Sequence, residues 1–434
     1  MVDLAICCCV VVLFFFTWRM TKPYDIARLM SYVWCPSLLM VHIVIGIPGG
    51  LSGYVFLYVS VLILLNVLGG RIASVFDANP EDFGDDVPLS GYYKVRAIFV
   101  TLLVSCGLGI FGVFQLMWRN GFQVYDFFSF ERFYKMSGYF YDCLAEGRDN
   151  VTPIPLTAIY LSPLLGEFIF YRHRSRVLVG VFSFLLALLL TVVANKKSAC
   201  LFALTLFIAS YVSSAVVCNR KLKLTRRNLL KGALLGLSVV LLFGFSFALR
   251  YGKQSEKMHG KGAEQLAVNY LIAHVSCFDA FLADGDLHYE NLGYGPKTFL
   301  GPSSAFGIQP RVTGIYPERK HFSNRGGDLE FSSNVYSAFR PLVEDFTVLG
   351  SLLVAFLVSL FVSMAGRRLH RVRWGIVRSF GVVVYTALLQ YGLSSFIASP
   401  WTYNSIIAAL LLFGMVLFLF GRRKVERVCS CASC

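Results

Sequence analysis

The sequence predicts an all-α, polytopic integral membrane protein with about eleven transmembrane helices. Two observations predict this fold class. Apolar stretches of membrane-spanning length alternate with short basic loops along almost all of the 434 residues, and one long polar segment, 250–342, breaks the alternation. Hydrophobic residues make up 56% of the chain and the mean hydropathy is +0.63, which excludes a soluble globular protein of this length.

The basic character of the chain follows from the same pattern. The formal net charge is +15, but the excess Lys and Arg residues form clusters between the apolar stretches. Charges in such places orient helices in a bilayer. The charge therefore does not indicate a nucleic-acid partner.

Each apolar stretch is long enough for a hydrocarbon core of about 30 Å, the first only where the bilayer is slightly thinned. The predicted spans are 4–18, 29–48, 53–73, 96–117, 153–171, 177–194, 199–218, 229–249, 343–364, 376–398 and 403–421. Arg19 and Lys22 follow the first stretch instead of preceding it, so we expect a transmembrane helix and not a cleavable signal peptide. A chain start further upstream is the alternative for so short a stretch.

Lys and Arg counts give the orientation. Of the 40 basic residues, 24 fall on one side of the predicted spans, which is therefore the cytoplasmic side. The N-terminus is then outside and the C-terminus inside. The predicted organisation has four parts. Helices one to eight occupy 1–249, with a smaller outer loop near 118–152, and the large outer loop occupies 250–342. Helices nine to eleven occupy 343–421, and the cytoplasmic tail is 422–434.

Two parts of the large outer loop have different character. From Gly262 to Leu282 the apolar residues fall in two adjoining rows at helical spacing, which predicts a short amphipathic helix along the membrane surface. After Asp286 the chain is rich in Gly, Pro, aromatic and polar residues without a clear period. Loops of this kind usually form sites.

Basic residues on the outer side are candidates for binding an anion. Arg250 and Arg340 stand where the large loop meets the membrane, and a guanidinium suits a phosphate or pyrophosphate at headgroup level. Lys196 and Lys197 occupy a tight outer hairpin, where orientation does not require positive charge. The alternative for all four is that the side chain extends to the lipid phosphates.

An acidic pair follows Arg340. Glu344 and Asp345 stand near the start of a predicted span, where a carboxylate also stabilises the helix dipole. Capping is one interpretation. The other makes one of them a base or an orienting group, and Asp345 is the favoured candidate.

The outer-loop residues resemble a known family. The runs Asn269–Leu282, Asn334–Pro341 and Glu344-Asp345-Phe346 are similar to the outer-loop signature of bacterial oligosaccharide repeat-unit polymerases, the O-antigen polymerase (Wzy) type. The resemblance spans roughly residues 191–360. The chain departs from the pattern at Thr347, where the family often has glycine, and at Lys196-Lys197, where a small residue and an arginine are common.

The resemblance implies a multi-pass glycosyltransferase of the bacterial inner membrane with a periplasmic loop and no cofactor or metal. Its substrate would be an undecaprenyl-pyrophosphate-linked oligosaccharide, and a chain-length regulator protein is a candidate partner. The implied catalytic residues are Arg250, Arg340 and Asp345. The implied substrate-binding residues are Lys196, Lys197, His274, Asp279, Asn334 and Tyr336. His274 and Asp279 join Asp345 as candidates for orienting or deprotonating the acceptor hydroxyl.

Three alternatives to this function remain open. An O-antigen ligase shares the lipid donor but transfers the glycan to a lipid A core. A transporter or flippase needs charged or polar groups along a path through the helices. The candidates within the predicted spans are Asn66, Gln115, Glu167 and Gln390. A non-catalytic scaffold would tolerate loss of every outer arginine.

Overall fold

The structure is a computed structural model, and it describes residues 2–42, 53–76, 92–145, 152–170, 177–194, 197–219, 272–283, 293–309, 320–323, 330–333, 337–372, 375–396 and 398–421. These residues form α-helices and one short antiparallel hairpin. The helices are α1 Val2–Met20, α2 Ile26–Met40, α3 Tyr54–Val75, α4 Val95–Arg119, α5 Phe130–Ala145, α6 Pro153–Phe170, α7 Val177–Ala194, α8 Lys197–Val217, α9 Ala273–Ala283, α10 Leu300–Ala305, α11 Phe339–Arg368, α12 Gly375–Ser394 and α13 Asn404–Leu419. The strands are β1 Lys320–Ser323 and β2 Glu330–Ser333, with Phe322 opposite Phe331.

The helices occupy the predicted apolar stretches. Ten of the eleven stretches contain a helix within their described residues, and the remaining one, 229–249, lies outside the described residues. Within the described part, five helices are long and apolar enough to cross a membrane: Tyr54–Val75, Val95–Arg119, Ser198–Val217, Phe339–Arg371 and Gly375–Ser394. The fold is thus the α-helical type that integral membrane proteins adopt.

Two elements differ from the prediction. The smaller outer loop contains α5, whose buried residues Phe133, Met136 and Phe140 follow the 3.6-residue period of a helix. The helix predicted to lie on the membrane surface is present as α9, but its first seven residues are all buried within the protein. Residues 273–279 of the predicted helix are therefore covered by protein, and its part before residue 272 lies outside the described residues.

The chain divides into two compact units. The first comprises residues 1–80, 263–367 and 388–404, and the second comprises 81–262, 368–387 and 405–434.

In the first unit, small residues bring α3 against α11. A Cβ atom on Gly69 would lie 2.9 Å from the backbone nitrogen of Leu360, so glycine permits this approach. Ser359 donates a hydrogen bond across the pair to the carbonyl oxygen of Asn66, at 2.7 Å. The second unit uses the same device, since Ser105 of α4 donates to the carbonyl oxygen of Ala158 in α6 at 2.9 Å.

Helix ends assigned to the same side of the membrane contact one another within each unit. In the first unit, Ser363 near the end of α11 donates to Asp25 at the start of α2, at 3.2 Å. In the second unit, Tyr93 before α4 forms a β-bridge with Gly421 after α13. On the other side of that unit, Thr152 donates to Gln115 at 3.4 Å.

Candidate functional site

The candidate site lies in the first unit, where the 293–299 loop meets the first turns of α11. The loop begins with a tight turn in which Tyr294 and Gly295 have φ angles of 55° and 114°, followed by Pro296. The backbone N–H of Tyr294 donates to the carbonyl oxygen of Asp345, at 3.3 Å. The loop is therefore attached to α11 through its backbone as well as through side chains.

The Asp345 side chain holds this loop in place. It is fully buried, and its Oδ2 accepts hydrogen bonds from the backbone N–H of Thr298 at 2.6 Å and from the Thr298 hydroxyl at 2.7 Å. Its Oδ1 accepts from the backbone N–H of Lys297 at 3.3 Å. A buried carboxylate with three such contacts is held in one orientation. Asp345 is thus committed to positioning the loop, and it does not cap the start of α11.

Close approach of the loop to this carboxylate requires glycine at position 293. A Cβ atom there would lie 2.3 Å from Oδ1 of Asp345, well inside van der Waals contact. The Gly293 backbone therefore covers one side of the carboxylate.

Two basic side chains share one carboxylate beside this loop. Arg340 Nε lies 2.9 Å from Oε1 of Glu344, and Lys297 Nζ lies 3.2 Å from Oε2. The Arg340 and Glu344 side chains are 12% and 13% exposed, whereas Lys297 is 37% exposed and forms the open edge of the group. We call Lys297, Arg340 and Glu344 the basic cluster.

An aromatic side chain supports the Arg340 guanidinium. Its carbon atom lies 4.8 Å from the centre of the Phe281 ring of α9, in a cation–π contact. One turn earlier in α9, Phe278 packs against Phe339, the first residue of α11, with ring centres 6.3 Å apart. The buried part of α9 thus fixes the start of α11 and the position of Arg340.

The helix is interrupted just after the site. Thr347 has φ 67° and ψ 172°, a backbone conformation that is populated almost entirely by glycine. A β-branched residue there costs about 1–3 kcal/mol. The Thr347 hydroxyl accepts a hydrogen bond from the backbone N–H of Gly350 at 3.2 Å. The chain therefore has threonine at position 347, where the backbone conformation favours glycine.

The other predicted residues on α9 have internal contacts. Asp279 is buried and accepts a hydrogen bond from the backbone N–H of Val55, in the first turn of α3, at 3.0 Å. His274 is fully buried between Trp34 and Phe396, at ring-centre distances of 5.9 and 5.3 Å, and neither ring nitrogen has a hydrogen-bond partner among the described residues. Burial lowers the pKa of His274 to about 3. The aromatic surroundings of His274 suit a neutral side chain that packs in the protein interior. A role in substrate binding stays a prediction for both His274 and Asp279.

The remaining predicted site residues cannot be placed beside the cluster. Arg250, Lys196, Asn334 and Tyr336 lie outside the described residues. Lys197 begins α8 in the second unit, and its side chain also lies outside the described part. Their assignments stay predictions.

Sequence reasoning missed the partners that complete the cluster. Glu344 was named but ranked below Asp345, although its spacing of four residues from Arg340 is that of a helical ion pair. Lys297 and Thr298 follow a Gly-Pro turn, which marks a loop but does not indicate which helix the loop meets. Among the described residues, no group of three or more His, Cys, Asp or Glu residues could hold a metal ion.

Comparisons with known proteins give no match: no family model, no curated protein and no solved structure is significantly similar to this chain. The fold and site therefore define a class only, an α-helical protein with membrane-length apolar helices and a basic cluster beside a structured loop.

Proposed function

We propose that this protein is a membrane glycosyltransferase that polymerises lipid-linked oligosaccharide repeat units. The observation that carries the proposal is the basic cluster, in which Arg340 and Lys297 share a single carboxylate at the edge of a loop fixed by Asp345. A partly open group that presents two basic side chains suits a pyrophosphate, because a guanidinium and an ammonium both bind phosphate oxygens. The glycine-type backbone at Thr347, where the resembling polymerases often have glycine, also supports it.

The proposed arrangement places eleven helices in the bacterial inner membrane. The segments 118–152 and 250–342 would lie on the periplasmic side, and the C-terminus would be cytoplasmic. Support comes from the contacts between helix ends within each unit, such as Ser363 with Asp25 and Tyr93 with Gly421. In this arrangement the basic cluster lies at the outer end of α11, at the level of the lipid headgroups.

The proposed reaction replaces one bond at the anomeric carbon by another. The hydroxyl of the acceptor unit attacks that carbon, the bond to the pyrophosphate oxygen breaks, and the hydroxyl proton ends on the released undecaprenyl pyrophosphate. Negative charge develops on the leaving oxygen, where Arg340 and Lys297 would stabilise it. Asp345 acts as a positioning residue, because it holds the backbone that carries Lys297. Arg250, Lys196, Lys197, Asn334 and Tyr336 are proposed to complete the substrate contacts.

A transporter is the second candidate, favoured by buried polar groups within helices. In α6, Glu167 is 5% exposed, and its Oε2 has no hydrogen-bond partner in the part of the chain that the structure describes. In α12, the side-chain amide of Gln390 is fully buried, and its nitrogen and oxygen likewise lack a hydrogen-bond partner within the described part. Polar groups of this kind inside membrane helices often mark a transport path. Asn66 does not belong with these two residues, because its side-chain amide donates a hydrogen bond to the Leu62 carbonyl oxygen of its own helix at 2.8 Å.

The test is gel analysis of surface polysaccharide from a host strain with the coding region deleted and then restored. Wild type should restore the ladder. Arg340→Ala should leave a single repeat unit, because losing one transition-state charge contact typically costs about 10²–10³-fold in rate. Arg340→Lys keeps the charge and should recover part of the ladder. The matched control is Arg132→Ala, since Arg132 also pairs with a carboxylate, Asp126 at 3.3 Å, and also lies over an aromatic ring, Tyr125 at 5.2 Å.

The outcomes separate the candidate functions. A normal ladder from an inserted Arg340→Ala protein would reject the electrostatic role of the cluster. An unchanged ladder after deletion would favour a transporter or a scaffold. A deletion strain in which no repeat unit at all is attached to the core would favour an O-antigen ligase.

A further inference from the structure

The segment 293–309 presents large apolar side chains to its surroundings. Tyr294, Phe299, Phe306 and Ile308 are 79%, 43%, 81% and 65% exposed. Isolated apolar residues are common on protein surfaces, but four exposed ones within fifteen residues concentrate apolar surface in one segment. We call these four residues the aromatic edge.

The charge of this segment matches a membrane surface. Between Gly293 and Gln309 the sequence contains no acidic residue and one basic residue, Lys297. Aromatic residues are enriched where a bilayer meets water, and a nearby lysine can pair with lipid phosphate. A loop facing bulk water would be expected to carry more charge.

The segment is also attached to a helix whose own surface is apolar and uncovered. In the most apolar window of α11 only 22% of the residues are buried within the protein. Leu349, Leu353 and Leu357 recur every fourth residue and are 79%, 57% and 51% exposed, forming a stripe of the kind that faces lipid chains. Asp345, which holds the loop, precedes Leu349 by four residues, with the interruption at Thr347 between them, so their Cα atoms lie within about 15 Å of each other.

We infer that the aromatic edge inserts into the headgroup region of the bilayer, and that its partner is the lipid surface. The lipid-facing stripe of α11 begins four residues after the residue that binds the loop, so the loop lies near the level at which the hydrocarbon core ends. Insertion of the aromatic edge does not depend on the proposed enzymatic activity.

Insertion would have a consequence for the site. Phe299 and Lys297 flank Thr298, whose backbone N–H and hydroxyl bind Asp345. A loop anchored in the headgroup region would therefore keep Lys297 and its partner Glu344 at the depth of lipid phosphates.

The experiment uses the full-length protein in lipid nanodiscs with an environment-sensitive fluorescent amino acid at one position. Position 306 reports on the aromatic edge. Position 353 is the control for contact with lipid chains, and position 131 is the aqueous control, because Glu131 is charged and 77% exposed. Each protein is measured with lipids that carry a quenching spin label at the headgroup or deep in the acyl chain, and with aqueous iodide.

We expect the headgroup label to quench position 306 most strongly, and the deep label to quench position 353. At position 131, iodide should quench the fluorescence and neither lipid label should. If position 306 responds like position 131, the segment faces water and the inference is overturned. Protection of position 306 from both lipid labels and iodide would overturn it too, because a second copy or another protein would then cover the patch.

Discussion

The hydrogen bonds between Asp345 and the 293–298 loop allow a direct test of whether this residue positions the loop or takes part in proton transfer. Asp345→Asn keeps the size of the side chain but removes its charge. The remaining carbonyl oxygen can still accept both bonds from Thr298, now as neutral bonds worth about 0.5–1.5 kcal/mol each instead of about 1.5–3 kcal/mol. Its new amide group would face the backbone N–H of Lys297, which loses its acceptor. We expect a loss of about 3 kcal/mol in unfolding free energy.

A double-mutant cycle with Thr298→Val isolates one of these bonds. Thr298 is 1% exposed and its hydroxyl lies 2.7 Å from Oδ2 of Asp345, so the coupling between the two substitutions should be about 1–2 kcal/mol. The measurement is equilibrium unfolding in detergent, combined with protease cleavage within the loop. Glu131→Gln is the control, since its side chain is 77% exposed and the change should stay within about 0.5 kcal/mol.

The result that would refute this reasoning is an Asp345→Asn protein as stable as wild type, without coupling to Thr298, that has nevertheless lost polymerisation. That outcome would assign Asp345 to proton transfer. Equal losses of stability and activity would support the positioning role.

Two further predictions concern backbone strain and a buried histidine. At Thr347, with its φ of 67°, the glycine variant should be more stable than the valine variant by about 1–3 kcal/mol, because both lose the hydroxyl and only glycine relieves the strain. In an ordinary helix valine is more favourable than glycine. A valine variant that is more stable than the glycine variant in thermal melts would therefore contradict the backbone conformation described for Thr347. The second prediction follows from the lowered pKa of His274, about 3 in the folded state against about 6.5 when unfolded. As pH falls below about 6.5 the unfolded chain takes up a proton that the folded protein does not, so stability should fall by about 2 kcal/mol at pH 5. His274→Phe should remove this part of the pH dependence in unfolding titrations, and an unchanged dependence would show that His274 is accessible to protons.

The positions of the helices could be predicted because they follow from local composition. A run of apolar residues must satisfy its backbone hydrogen bonds within itself in a bilayer, and an α-helix does so without any distant partner. The same argument applied to 130–145 would have found α5, whose apolar residues Phe133, Met136 and Phe140 have helical spacing. That helix was missed because its many polar residues suggested a loop.

The candidate site was predictable in part. Arg340 and Asp345 were identified from residue type and from their place at the border of the loop. Their roles depend on partners that are distant in sequence: Lys297 and Thr298 lie 48 and 47 residues before Asp345. The sequence likewise suggested that α9 lies on a surface, because its apolar rows do not reveal which protein segments cover them.

By itself the sequence determined the fold class, the helix positions and the alternation of basic and apolar segments, since these depend on the transfer of each segment between water and lipid. Only the tertiary structure decided that Glu344 pairs two cations, that Asp345 supports a loop and that His274 is enclosed by aromatic rings. The physical reason is that hydrogen bonds and ion pairs have a short range. Their partners are selected by how the helices pack, and that packing brings together residues far apart along the chain.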